Sequence, residues 1–78
     1  MNIKKVCVLG GGGFVGIHVV NRLGMAGYSV RVLTRAREHA KTVAVLPDVE
    51  VVEANIFDPS ELNQHFVGMD AVINLVGI

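Results

Sequence analysis

Apolar residues fall in short dense runs separated by polar punctuation, and their spacing alternates between that of a strand and that of a helix. Val6-Cys7-Val8-Leu9 is an unbroken apolar run that stops at four consecutive glycines, Gly10 to Gly13. A short, partly β-branched run of this kind predicts a buried parallel strand, here over about Ile3 to Leu9. From Phe14 the spacing becomes helical. Gly16, Val20, Leu23 and Gly27 share one face with Val19 beside it, which predicts an amphipathic helix over 14–26, weakened by Gly24 in its last turn and capped by Gly27. Ser29 to Thr34 reads as a second strand. A weaker helical pattern covers 37–45, and Pro47 ends it. Val49 to Ala54 reads as a third strand. Asp58-Pro59-Ser60-Glu61 is a helix start: Asp58 as the cap, Pro59 at the first helical position and Glu61 placed to close a capping box. Leu62 and Phe66 then lie four apart, Gly68 stops the helix, and Ala71 to Val76 forms a fourth strand.

The order β-α-β-α-β-α-β with short links predicts the α/β class: a doubly wound parallel sheet of the Rossmann kind, with right-handed crossovers and helices on both faces. Composition adds a qualification. Of the 78 residues, 51% are hydrophobic, and the mean hydropathy is +0.51. A chain of this size buries only about 60% of its unfolded surface, so this apolar share fits the buried half of something larger. Residues 1–78 are therefore expected to be the amino-terminal part of a single dinucleotide-binding domain. The fourth strand, apolar on both faces, would then be an edge through which the chain self-associates or meets a protein partner.

The candidate chemistry lies at the glycines. A strand, a glycine turn and a helix in succession let the backbone approach a pyrophosphate, with the helix N–H groups and dipole aimed at it. Both Gly10-x-x-Gly13-x-x-Gly16 and Gly11-x-Gly13-x-x-Gly16 match the spacing. Gly10, Gly12 and Gly13, with Phe14, Val15 and Gly16, are the candidate phosphate-binding residues. In an open parallel sheet the ligand lies beyond the carboxyl ends of the strands, which adds Thr34 and Arg35, Asn55 and Ile56, and Leu75, Val76 and Gly77. An NAD site places an acid after the second strand, and a methyl-donor fold would also want one there. Here Thr34-Arg35 stands there, and a planar guanidinium suits a 2′-phosphate. The expected cofactor is thus NADP(H) rather than NAD(H).

Net charge is zero, which points away from nucleic acid and anionic membranes as partners. All seven bases lie within the first 41 residues and six of the seven acids after them, leaving Arg35, Arg37 and Lys41 as a basic rim near a phosphate. Cys7 is the single cysteine and reads as a small buried hydrophobe, compatible with a reducing compartment such as the cytoplasm. His18 reads as a partly buried packing residue, because no second ligand stands at metal spacing. The apolar run after Lys4 and Lys5 is too short for a signal segment, and no stretch is long enough to span a bilayer.

With these residues in place, the chain resembles the extended and atypical short-chain dehydrogenases/reductases. Their Gly-x-x-Gly-x-x-Gly turn is similar to Gly10, Gly13 and Gly16. Their Asp-hydrophobic pair, which contacts the adenine, corresponds to Asn55-Ile56; asparagine replaces the aspartate, and its amide carbonyl can still accept from the adenine amino group. Their strand-four ending, on the ribose and nicotinamide side, is similar to Asn74-Leu75-Val76-Gly77. Gly13-Phe14-Val15-Gly16, Val30-Arg31-Val32-Leu33-Thr34-Arg35, Val49-Glu50-Val51-Val52-Glu53-Ala54 and Ala71-Val72-Ile73-Asn74-Leu75-Val76-Gly77-Ile78 together most resemble one branch, the NAD(P)H-binding accessory subunit of respiratory complex I and its bacterial relatives. That resemblance implies an NADP(H)-holding module, cytoplasmic or peripheral to a membrane complex, in which the nucleotide is structural. The alternatives are an NADP-dependent reductase or nucleotide-sugar epimerase/dehydratase, and an NADP-sensing regulatory protein. The family's enzymes carry a Tyr-x-x-x-Lys pair in which lysine lowers the tyrosine pKa. Tyr28 is the one tyrosine here and Val32 stands four residues on, so no catalytic residue and no metal site is expected within 1–78.

Overall fold

The computed structural model describes residues 3–10, 14–35 and 48–76, the side chain of Phe14 excepted. The helix expected over 37–45 and the candidate residues Gly12, Gly13 and Gly77 lie outside the described residues. The elements are β1 (Lys5–Leu9), α1 (Phe14–Met25), β2 (Ser29–Thr34), β3 (Val49–Glu53), α2 (Pro59–Phe66) and β4 (Ala71–Asn74). All strand pairs are parallel, in the order β3-β2-β1-β4. The chain winds outward from β1 through β2 to β3, then returns through α2 to place β4 on the other side of β1. The order thus reverses between β1 and β4. The fold is a Rossmann-like parallel α/β sheet, as the alternation predicts.

The register sorts side chains onto two faces. Val8 sits opposite Val32 and Ile73, and Val32 opposite Val51. These residues, with Val6 and Val30, form one core, against which α1 lays Val20, Ile17 and Leu23. On the other face Cys7, Leu9, Leu33 and Ala54 form a second core, partly covered by Leu62 and Phe66 of α2. Being covered on both faces is why β1 reads as continuous apolar sequence rather than as alternation.

The ends of α1 follow the expected chemistry. Gly27 has φ +91°, its N–H donates to the Gly24 carbonyl (3.1 Å), and the Tyr28 N–H donates to the Leu23 carbonyl (3.1 Å). This double closure satisfies the last carbonyls, and Leu23 and Tyr28 both pack on the first core. α2 departs from expectation. Asp58 does cap it, accepting from the Ser60 N–H at 2.9 Å. The capping box does not form, because the Asp58 N–H already donates to the Asn55 carbonyl (3.1 Å). Glu61 reaches further back and accepts from the Asn55 N–H (3.2 Å). No α2 residue is fully buried. Besides the half-buried Leu62 and Phe66, the helix is held by Arg31, which donates to the His65 carbonyl (2.9 Å) and pairs with Glu50 of β3 (3.1 Å).

Three strands are shorter than expected; β3 loses one residue, ending at Glu53 rather than Ala54. β1 begins at Lys5 rather than Ile3, and β4 ends at Asn74 rather than Val76, because the Asn74 side chain captures the Val76 N–H (2.9 Å). At the opposite end of the sheet the Asp70 carboxylate accepts from the N–H groups of both Lys4 and Lys5, each at 2.9 Å. Those bonds hold the Asp70 carboxyl below its ordinary value, helped by the two lysine charges. A lowered folded-state pKa adds stability that is present above the unfolded carboxylate range and is lost as pH falls through the lowered value. Asp70→Asn is therefore expected to lower the urea midpoint at pH 7, with the gap from wild type closing as pH falls below about 4. A gap that stays constant to the lowest pH reached would show that the carboxylate is not coupled to folding.

β4 is an edge of the described sheet, and Val72 and Val76 are exposed on it. The opposite edge, β3, carries Glu50 and Glu53, which discourage pairing with another strand.

Candidate functional site

The carboxyl ends of the four strands are stitched into one rim. Gly10 follows β1 with φ +75°, a left-handed conformation that glycine adopts without strain. Its N–H donates to the Leu33 carbonyl (2.9 Å), the Leu75 N–H to the Leu9 carbonyl (3.0 Å), and the Ala54 N–H to the Thr34 carbonyl (2.9 Å). Gly10, Thr34-Arg35, Ala54-Asn55 and Leu75-Val76 are thereby fixed side by side. A Cβ at Gly10 would come within 3.3 Å of Val76 Cγ2, so the β1 turn packs directly on the segment after β4. Phe14 opens α1 at this rim. Val15 is exposed and Gly16 is buried. No acid stands in the first turn of α1, so nothing charged there opposes an anion at its positive pole.

Thr34 is buried and Arg35 exposed. Arg35 lines an open cleft of about 470 Å³ with Glu53, Ala54, Asn55, Phe57 and Glu61. Its guanidinium carbon lies 5.5 Å from the centre of the Phe57 ring. Asn55 is exposed, and its side-chain oxygen accepts from the Phe57 N–H (3.1 Å). Ile56 is half-buried against the second core and Leu75 against the first. The sequence reading placed none of Phe57, Glu53 and Glu61 at this cleft; Glu61 was expected only at the start of α2. Phe57 offered one signal, a large apolar residue two positions after an asparagine able to brace a turn.

Besides the cleft carboxylates Glu53 and Glu61, Cys7, Tyr28 and His18 lie away from the rim. Cys7 is fully buried, and burial pushes its thiol up, only partly opposed by the Arg31 charge. Tyr28 packs on the first core just before β2, at the amino ends of the strands and so opposite the rim. His18 is exposed rather than partly buried, since it projects from α1 away from Gly16 and Val20. Among the described residues no cluster of ligands could hold a metal ion, and no helix is long and apolar enough to cross a membrane.

The model of the NAD dependent epimerase/dehydratase family matches residues 6–78. No curated protein sequence matches the chain. Among solved structures, a Bacteroides thetaiotaomicron protein provisionally assigned as an epimerase shares 29% identity at a TM-score of 0.84, over 94% of this chain and 33% of its own. The Bordetella bronchiseptica enzyme WbmH, solved in complex with NAD+, shares 30% identity at a TM-score of 0.76, over 94% of this chain and 26% of its own. Vestitone reductase from alfalfa shares 27% identity at a TM-score of 0.78, over 90% of this chain and 24% of its own. The chain therefore spans a third or less of the length of these proteins.

Proposed function

Since this chain belongs to the NAD dependent epimerase/dehydratase family, we propose that its strand-end rim is the adenosine and pyrophosphate half of an NADP(H) site, in the amino-terminal part of a single such domain. The glycine turn, Gly10, Gly12 and Gly13, with Phe14, Val15 and Gly16, meets the pyrophosphate. Thr34 and Arg35 meet the 2′-phosphate. Asn55 and Ile56 border the adenine, and Leu75, Val76 and Gly77 border the ribose on the nicotinamide side. WbmH, similar in fold over 94% of this chain, was solved with NAD+, which supports a nicotinamide dinucleotide as the ligand class.

The observation that carries the choice of NADP is Arg35. It stands after β2 where an NAD site would place an acid, and it makes no ion pair with any described acid. An exposed guanidinium on the cleft wall is matched by a phosphate. The remoteness of Tyr28 and the burial of Cys7 support a holding role, like that of the complex I accessory subunit and its bacterial relatives, over turnover by these residues. Similarity to vestitone reductase supports the second reading, an NADP-dependent reductase whose reacting groups lie outside 1–78.

Titration of the protein with NADP and NAD at fixed salt tests the site. One hydrogen bond to a charged group contributes about 1.5–3 kcal/mol, so NADP is expected to bind roughly ten- to a hundred-fold tighter. Equal affinity, or tighter binding of NAD, would overturn the assignment.

A further inference from the structure

Phe57 lines the cleft beside Arg35 and is 66% exposed. A large ring left in solvent on a turn needs a reason, and the turn itself is built to present it. The Asn55 side chain accepts from the Phe57 N–H, and Glu61 accepts from the Asn55 N–H. The ring meets the Arg35 guanidinium at 5.5 Å, within the range of attraction between a cation and an aromatic face. The same cleft holds two carboxylates, Glu53 and Glu61. Arg35 pairs with neither, although its long side chain is flexible and its charge is opposite to theirs.

We propose that Phe57 is a positioning residue for cofactor choice: its ring holds the Arg35 guanidinium flat and off Glu53 and Glu61, leaving the N–H edge open to a 2′-phosphate. This rests on the NADP reading above. The chemistry of the pair suits the role. Stacking uses the face of the guanidinium, while its donors point outward in the plane. The ring and the phosphate therefore do not compete for the same surface. Without the ring, Arg35 turns to the carboxylates, and a phosphate must displace them to bind.

The experiment measures NADP and NAD affinities for wild type, Phe57→Leu, Phe57→Tyr and Phe57→Leu/Glu53→Gln. Phe57→Leu keeps apolar bulk and removes the aromatic face. Its NADP affinity is expected to fall about two- to fivefold with NAD affinity unchanged. Phe57→Tyr is expected to match wild type, and the added Glu53→Gln to recover part of the loss. A second readout needs no ligand and no variant: ring-current displacement of the Arg35 side-chain proton resonances in wild type. If wild type shows no NADP preference, the cofactor reading fails and this proposal with it. If wild type prefers NADP but Phe57→Leu leaves the ratio unchanged, or the Arg35 resonances are undisplaced, the cofactor reading survives and the role of Phe57 is overturned.

Discussion

Exchanging Arg35 for aspartate is expected to turn an NADP-preferring protein into an NAD-preferring one. The change acts twice. It removes a charged donor contributing about 1.5–3 kcal/mol to phosphate binding. It also adds a third carboxylate to a cleft already lined by Glu53 and Glu61, so the 2′-phosphate meets repulsion where it met attraction. For NAD the same carboxylate is an asset, since it accepts hydrogen bonds from the ribose hydroxyls. The NADP to NAD affinity ratio is expected to fall from about ten to a hundred in favour of NADP to below one. Arg35 is exposed, so both affinities are to be measured by calorimetry at one salt concentration. An unchanged ratio would remove Arg35 from the site.

Valine at Gly10 is expected to be the most damaging single change at the rim. A β-branched residue at φ +75° is strained by about 1–3 kcal/mol. Its Cβ would stand 3.3 Å from Val76 Cγ2, and crowding of this sort typically costs a further 1–3 kcal/mol or so. For a small domain that sum is a large share of total stability. Gly24→Ala provides the control of opposite sign. Gly24 lies within α1, and a Cβ there meets nothing within 4 Å. Alanine should stabilise by about 0.5–1 kcal/mol. Thermal melts of the two variants test both; a Gly10→Val protein that melts with wild type would mean that the β1 turn is not held against Val76.

Most of the architecture was legible in spacing. The Val6-Cys7-Val8-Leu9 run, the helical repeat from Gly16 to Leu23 and the Asp58-Pro59 start each report local physics, and each formed where expected. Strand order is not local. β4 lies beside β1 through a backbone ladder between Val6–Leu9 and Ala71–Asn74, which Asp70 closes at one end by accepting from Lys4 and Lys5, and nothing in the spacing of either segment records it. The strand ends were misjudged for a related reason. Periodicity marks where side chains point, whereas β4 stops at Asn74 because a side chain takes over a backbone N–H. The site was legible in part. Gly10, Arg35 and Asn55 could be placed at the carboxyl ends of the strands from the topology of a parallel sheet. Phe57 could not, because its contact with Arg35 joins two turns that follow different strands. Glu61 was legible as a helix-start residue, but its partner was misread, since the competing claim of the Asn55 carbonyl on the Asp58 N–H appears only once the turn is folded.

The strand order also sets a schedule for the nascent chain. β1 is synthesised first and finishes in the interior of the sheet. β2 arrives after a single helix and can pair with one side of it early. The other side waits for β4, whose anchoring residue Asp70 lies 65 positions beyond Lys5. Distant pairings form late, because the intervening chain must be closed before they stabilise anything. Until then the most apolar strand of the molecule is temporarily an open edge, with unpaired backbone groups able to template a wrong neighbour. The seconds between the emergence of Thr34 and that of Ala71 are when this chain is most exposed to misassembly and when a holding chaperone would matter most.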